Sequence, residues 1–430
     1  MIDLGIGIFL LIIILELILK VKIYSPSFLF VVSFLILFIL EKFQLYGLFA
    51  AKNDSYTIVI IGVLSFCVGC IAVLPFFSHN KSNSDQEMVV RKYIVQVDEI
   101  RKKLSFLIIF ALIIEILYAI PSILYLRSGG SLYDMRYIQQ DIIQRSGLIS
   151  FLHVYVSLPI LYITLPISAF DFFINGKKKM FMLTLVTTLF YFIGNGARMP
   201  LIYIILSYIS IFLMFFNSLK ESKKLKKILL STIIILVVIN LLTIIRKSGQ
   251  EVSTNNQTFF QGIYYYITCS MINLGDKLSY VSAKPNLLGA ATFYGFFLPL
   301  TNIINIPIAT NAKEFFDLIQ NGVINISNID NSPYNFCVTG FLPSYADGKI
   351  WGVIVFSFLI GILMQFIFKQ LERSDSLKWL VLYSLMMEAI MMYVITNMFS
   401  SISFCMAIPF ALFFLNIKAV RGTISEDKYF

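Results

Sequence analysis

LSFLIIFALIIEILYAIPSILYL, residues 104–126, is a run of 23 positions with one charged side chain, Glu115, bounded by Arg101, Lys102 and Lys103 before it and Arg127 after it. About 20 consecutive apolar residues cross the hydrocarbon core of a bilayer as a helix, because in lipid the backbone must satisfy its own hydrogen bonds. The run therefore reads as a transmembrane helix. Working outward, the pattern repeats near 3–19, 24–40, 57–77, 149–170, 180–195, 199–216, 228–245, 350–368, 379–396 and 400–417. The expected fold class is all-α: a polytopic integral membrane protein with about 11 transmembrane helices (range 10–13), residues 1–430 forming a single transmembrane domain with one large extracytoplasmic loop, 246–349. Composition agrees, with 58% hydrophobic and 13% charged residues, where a soluble domain carries about 25% charged. The first apolar run has no basic residues before it and no small-residue cleavage site after it, so it reads as a span and not as a cleaved signal.

Lys and Arg cluster in alternate connections: Lys20 and Lys22, Lys81 to Lys103, Lys177 to Lys179, Lys220 to Lys227, Lys369 to Lys378, and the tail from Lys418. These connections hold 22 of the 34 basic residues, so the positive-inside rule makes them cytoplasmic, with the N-terminus outside and the C-terminus inside. A net charge of +10 is then explained by basic loops facing anionic membrane lipids, and calls for no nucleic acid. The hydrophilic stretch His79 to Lys103 reads as a cytoplasmic loop with a short helix.

In the long loop, Phe259, Phe260, Ile263, Ile267, Met271 and Leu274 recur at helical spacing, which predicts an interfacial helix with Tyr264, Tyr265 and Tyr266 near the headgroups. The uncharged run Pro285 to Ala312 contains Pro299, Pro307 and several Asn, and reads as re-entrant or protein-buried. Charge alternation beyond Lys369 requires that both of these runs span or that neither does. Five cysteines, an odd number, make no disulfide framework, and Cys67-x-x-Cys70 sits among Leu64, Phe66, Val68 and Ile71 as part of a packed helix.

Catalytic and metal patterns are sparse. Two histidines, His79 and His153, support neither a triad nor a metal site, and no Walker loop is present. Glu16 reads as a helix-end group, while Glu115 and Glu388 fit either function or interhelical hydrogen bonding. Arginines stand against the charge rule on the outer side: Arg127, Arg136, Arg145, Arg198 and Arg246. The planar, permanently charged guanidinium suits phosphate oxygens, so these positions are candidates for binding a pyrophosphate headgroup, with lipid anchoring as the plain alternative. Gly194-Asn195-Gly196-Ala197-Arg198-Met199-Pro200 is a tight break that holds Arg198 at the membrane surface. With no site for ATP, an activated lipid pyrophosphate would supply the driving force.

Taken together, Gly129-Gly130-Ser131-Leu132-Tyr133-Asp134-Met135-Arg136, Gly194 to Arg198, Arg246 at the start of the long loop, and Tyr345-Ala346-Asp347-Gly348-Lys349-Ile350-Trp351-Gly352 before a span give the chain its likeness to a family. It resembles the bacterial O-antigen polymerases of the Wzy type, also called oligosaccharide repeat unit polymerases. Lys349 and Trp351 stand where that pattern has smaller or apolar residues. The resemblance implies a metal-independent membrane glycosyltransferase without cofactors. It would move a glycan from undecaprenyl pyrophosphate onto a new lipid-linked repeat unit, outside the cytoplasm, with a chain-length regulator as a partner. It also implies that Arg136, Arg198 and Arg246, with Arg127, hold the donor pyrophosphate, and that Asp347 or Asp276 accepts the proton of the attacking hydroxyl. Asp347 reads equally as an N-cap of the next span. Tyr264, Tyr294 and Tyr334 are candidates for stacking on sugars, or members of an interfacial belt. An O-antigen ligase, which would carry a histidine in the long loop, and a lipid-linked oligosaccharide flippase are the competing classes.

Overall fold

The computed structural model describes residues 1–77, 86–130, 147–196, 199–216, 230, 259–301, 307–321, 324–329, 333–334 and 337–415. Their helices in chain order are α1 (Ile2–Ile18), α2 (Pro26–Phe43), α3 (Asn53–Val73), α4 (Gln86–Arg127), α5 (Leu148–Leu152), α6 (Leu158–Phe173), α7 (Lys179–Asn195), α8 (Met199–Met214), α9 (Phe259–Ser282), α10 (Tyr294–Thr301), α11 (Pro307–Asn321), α12 (Phe341–Arg373), α13 (Leu377–Met392) and α14 (Ile402–Phe414). A π-helical turn, His153–Ser157, joins α5 to α6. The strands among the described residues are the antiparallel pair β1 (Ile324–Asn325) and β2 (Pro333–Tyr334), in register Ile324 to Tyr334. Ten of the apolar runs become helices at their expected places; the run 228–245 lies outside the described residues, Leu230 apart. Five helical segments are long and apolar enough to cross a membrane: Pro26–Phe43, Asn53–Phe77, Met88–Arg127, Leu148–Phe173 and Phe341–Arg373. Exposed rows such as Phe106, Ile109, Phe110, Ile113, Leu117 and Leu124 on α4 form the kind of surface that lipid covers.

One expectation is corrected at α4. The short helix predicted before Lys103 is continuous with the span, giving a single helix of 42 residues, about 63 Å long at 1.5 Å per residue. Residues 86–103 hold no Pro or Gly, and Val90, Tyr93, Val97, Ile100 and Leu104 are all buried. That spacing gives the polar half a core-facing stripe of its own.

Two close helix pairs organise the bundle. Where α3 crosses α12, a Cβ on Gly69 would lie 2.2 Å from the Phe358 carbonyl oxygen and one on Gly361 would lie 2.3 Å from that of Phe66. Small residues let two backbones meet in this way. Cys70 Sγ lies 3.5 Å from the Gly361 oxygen, and both members of the C-x-x-C are buried, as packing residues. On the other side α4 meets α7, with Gly194 against Tyr118 and the Ser122 hydroxyl donating to the Gly194 carbonyl at 3.1 Å. Glu115 and Glu388 each bind a neighbouring helix. Ser157 Oγ donates to Glu115 Oε1 at 2.5 Å, with His153 Nδ1 2.8 Å from the same oxygen, and Ser207 Oγ donates to Glu388 Oε1 at 2.6 Å.

Ion pairs tie one end of the bundle. Lys22 meets Glu372 at 2.8 Å, Lys92 meets Asp375 at 2.7 Å, Arg101 grips Asp171 through two nitrogens, and Lys177 reaches Asp98. These contacts bring together loops that the charge pattern assigns to one side of the membrane. At the opposite end α9 lies across the bundle. Tyr264 Oη bonds the Leu40 oxygen, Gly275 packs on Lys52 and Ser55, and the residues just after α9 meet Lys349. The helix touches this end at Tyr264, at Gly275 and just past its last turn. The following run is broken: turns over 288–293 lead into α10, whose eight residues extend only about 12 Å.

Candidate functional site

Asp347 lies at the break in α12, where Gly348 and Lys349 leave helical geometry. Its carboxylate is 1% exposed and takes two backbone donors from the turn before α10: Ala291 N–H to Oδ1 at 2.9 Å and Thr292 N–H to Oδ2 at 2.8 Å. The main chain continues the seam, with Leu287 N–H donating to the Ala346 oxygen and Leu288 N–H to that of Asp347, both at 3.1 Å. Asn397 donates to the Thr292 carbonyl at 2.7 Å, Ser400 to that of Ala291 at 3.1 Å, and Thr292 Oγ1 pairs with Ser344 Oγ at 3.1 Å. Asp347 is therefore not the N-cap of its own helix. It holds a turn of another segment, and both its oxygens are engaged.

Lys349 finds its reason beside it. The ammonium donates to the carbonyls of Val281 at 2.6 Å and Lys284 at 2.7 Å, satisfying acceptors at and beyond the C-terminus of α9. Lys349 and Leu288 both hold left-handed backbones, with φ of 54° and 50°, a conformation that costs an ordinary residue about 1–3 kcal/mol and collects at functional sites.

Next to this knot an open cleft of about 220 Å³ lies between the end of α9, α11 and Ala346. Tyr280, Lys284, Asn311 and Glu314 supply its polar wall, and Leu287, Phe315 and Leu318 its apolar one. Asp276 is one helical turn before Tyr280, half exposed and 3.1 Å from Lys277 Nζ. Sequence reasoning missed Glu314 and Asn311. The signal was the amphipathic spacing of α11, in which Ala312, Phe315 and Ile319 are buried and Asn311 and Glu314 are exposed.

Two of the three tyrosines expected near headgroups, Tyr264 and Tyr265, face inward. Tyr264 is 6% exposed, and its hydroxyl donates to Leu40 and accepts from Leu45 N–H, both at 2.9 Å. Tyr265 is fully buried. Tyr294 is buried with its ring 4.7 Å from that of Phe316; burial, with Asp317 and Tyr155 close by, pushes its hydroxyl up to about 12. Neither Tyr264 nor Tyr294 presents an open ring to a sugar. Tyr334 contributes to β2, and its side chain lies outside the described residues.

Arg127 ends α4 and is exposed. Arg136, Arg198 and Arg246 lie outside the described residues. Gly196 and Met199, on either side of Arg198, are described. Gly196 closes α7 with a φ of 60°, and Met199, the first residue of α8, receives the Tyr266 hydroxyl of α9 on its sulfur at 3.1 Å. The start of α8 thus lies against the helix whose far end walls the cleft.

The family description that matches this sequence is O-antigen polysaccharide polymerase Wzy, over residues 4–428. No curated protein and no solved structure matches it. A match of that extent takes in all the described helices but the first two residues of α1, with the Asp347 knot and the cleft. The chain belongs to the O-antigen polysaccharide polymerase family Wzy.

Proposed function

We propose that this chain polymerises undecaprenyl-pyrophosphate-linked oligosaccharide repeat units on the outer face of the bacterial cytoplasmic membrane, as a metal-independent glycosyltransferase, with its N-terminus outside and its C-terminus inside. The observation that carries the reading is the position of the cleft: it opens at the end of the bundle away from the ion-paired basic loops, on α9, the helix whose Tyr266 meets Met199 at the start of α8.

In the reaction a hydroxyl of the acceptor repeat unit attacks the anomeric carbon of the donor glycan. The bond from that carbon to the pyrophosphate oxygen breaks, and undecaprenyl pyrophosphate leaves with the electron pair. Arg198, with Arg136, Arg246 and Arg127, neutralises the charge that develops on the leaving group. The hydroxyl proton passes to a carboxylate. Asp276, exposed and one turn from the cleft, is the better placed acceptor. Asp347, buried and engaged on both oxygens, acts as a positioning residue that fixes the floor beside it.

The test is surface glycan length in the native bacterium after deletion of the gene and its restoration as wild type or Arg198→Ala. Deletion should leave glycans of a single repeat unit. Arg198→Ala, at normal membrane levels, should fail to restore long chains, since loss of one transition-state charge contact costs about 10²–10³ in rate. Loss of even the single-unit form on deletion would overturn polymerisation in favour of flipping or ligation.

A further inference from the structure

We infer that the cleft between α9, α11 and Ala346 binds a pyranose ring of the acceptor repeat unit, with Tyr280, Lys284, Asn311 and Glu314 as its recognition residues; this rests on the polymerase reading above. Size is the first argument. At about 220 Å³ the cavity falls below the range of about 300–1,000 Å³ that drug-sized ligands occupy, which leaves room for a single small ring and none for a polyprenyl chain.

The walls give the ligand class. A sugar ring has an apolar C–H face and an edge of hydroxyls that both donate and accept. Phe315 and Leu318 line one side of the cleft, and Tyr280, 41% exposed, offers an aromatic face. For the hydroxyl edge, Lys284 donates, Glu314 accepts and Asn311 does both. The Lys284 ammonium sits 5.2 Å from the Tyr280 ring centre, which holds the two side chains together at one wall.

The charged walls favour an acceptor over a donor headgroup: among the described residues that line the cleft the charged ones are Lys284 and Glu314, and the Glu314 carboxylate would repel a pyrophosphate. A neutral or amino sugar of the acceptor meets no such repulsion. Rigidity completes the case. Leu287 and Ala346 of the Asp347 seam line the cleft, and Lys349 ties Val281 and Lys284 in place. A site held this firmly loses little conformational freedom when it closes on a ligand.

The experiment uses the purified full chain in lipid nanodiscs with a lipid-linked donor and, as acceptor, the repeat-unit oligosaccharide on a water-soluble aglycone. Tyr280→Ala and Glu314→Gln should each raise the acceptor KM about tenfold, the effect of removing roughly 1.4 kcal/mol of contact, with donor KM and thermal unfolding unchanged. Tyr280→Phe should keep the wild-type acceptor KM, because it retains the ring. An active wild type with unchanged acceptor KM in both Tyr280→Ala and Glu314→Gln overturns the cleft assignment alone. A wild type that extends neither the soluble nor the lipid-linked acceptor overturns the polymerase reading beneath it.

Discussion

A carboxylate that accepts two backbone N–H groups from a distant segment is hard to replace, because each donor it loses becomes a buried orphan. For Asp347 those donors are Ala291 and Thr292, 56 and 55 positions away in sequence. Hydrogen bonds to a charged group contribute about 1.5–3 kcal/mol each, so Asp347→Ala should lower the thermal unfolding temperature of the purified protein clearly. Asp347→Asn should fall between, because the amide keeps one acceptor and turns its NH₂ towards the other N–H. A general base would behave differently: both variants would lose activity at unchanged unfolding temperature, and that result would refute the positioning role. The sequence marked Asp347 as worth watching through its place before an apolar run, yet it could not name the partner. An N-cap and a cross-segment clamp look alike until Ala291 and Thr292 are seen beside it. Lys349 shows the same limit, since its target carbonyls, Val281 and Lys284, carry no side-chain signature.

At the level of elements, the α3 and α12 crossing depends on having nothing at two positions. A side chain on Gly69 would meet the Phe358 backbone at 2.2 Å, where neither partner has a flexible end to move. Gly69→Val should therefore force the helices apart, and overpacking of this kind costs about 1–3 kcal/mol or more. Folded yield in detergent is the readout, with Gly7→Val on α1 as the control, because a Cβ there meets nothing within 4 Å. Wild-type yield for Gly69→Val would show that the crossing is looser than described. Helix positions were legible from the sequence because a span announces itself by an uninterrupted apolar run. The true start of α4 was not, since charged residues on an exposed face, such as Arg91 and Glu99, hid the buried stripe of Val90, Tyr93, Val97 and Ile100. Nor did Tyr264 and Tyr265 give away that they point into protein, because Tyr serves a headgroup belt and a buried hydrogen bond equally well.

Across the whole molecule, the two ends differ in how they are held. One end is tied by ion pairs among Lys22, Glu372, Lys92, Asp375, Arg101 and Asp171; the other adds main-chain hydrogen bonds around Asp347 and α9 to the pairs Lys42–Asp3 and Lys277–Asp276. Arg101→Ala leaves Asp171, 1% exposed, with an uncompensated charge, and should destabilise by about 3–5 kcal/mol. Arg101→Lys should recover only part of this, because one ammonium cannot replace the two-nitrogen grip. Thermal unfolding of both variants checks the order, and equal stability of Arg101→Ala and wild type would remove the clamp from the account. The grouping of loops was readable from Lys and Arg placement alone. The cleft was not, because segments near 280, 311 and 346 become neighbours only once α9 lies over the bundle end.

The Asp347 seam also bears on how such an enzyme changes over generations. Its donors are peptide groups, which are the same whatever sugar the cell makes, so a shift to a new glycan leaves the seam under its old selection. The cleft walls have no such shelter. Drift that follows a changing surface antigen should gather at Tyr280, Asn311 and Glu314, while the residues that fasten the floor beneath them stay still.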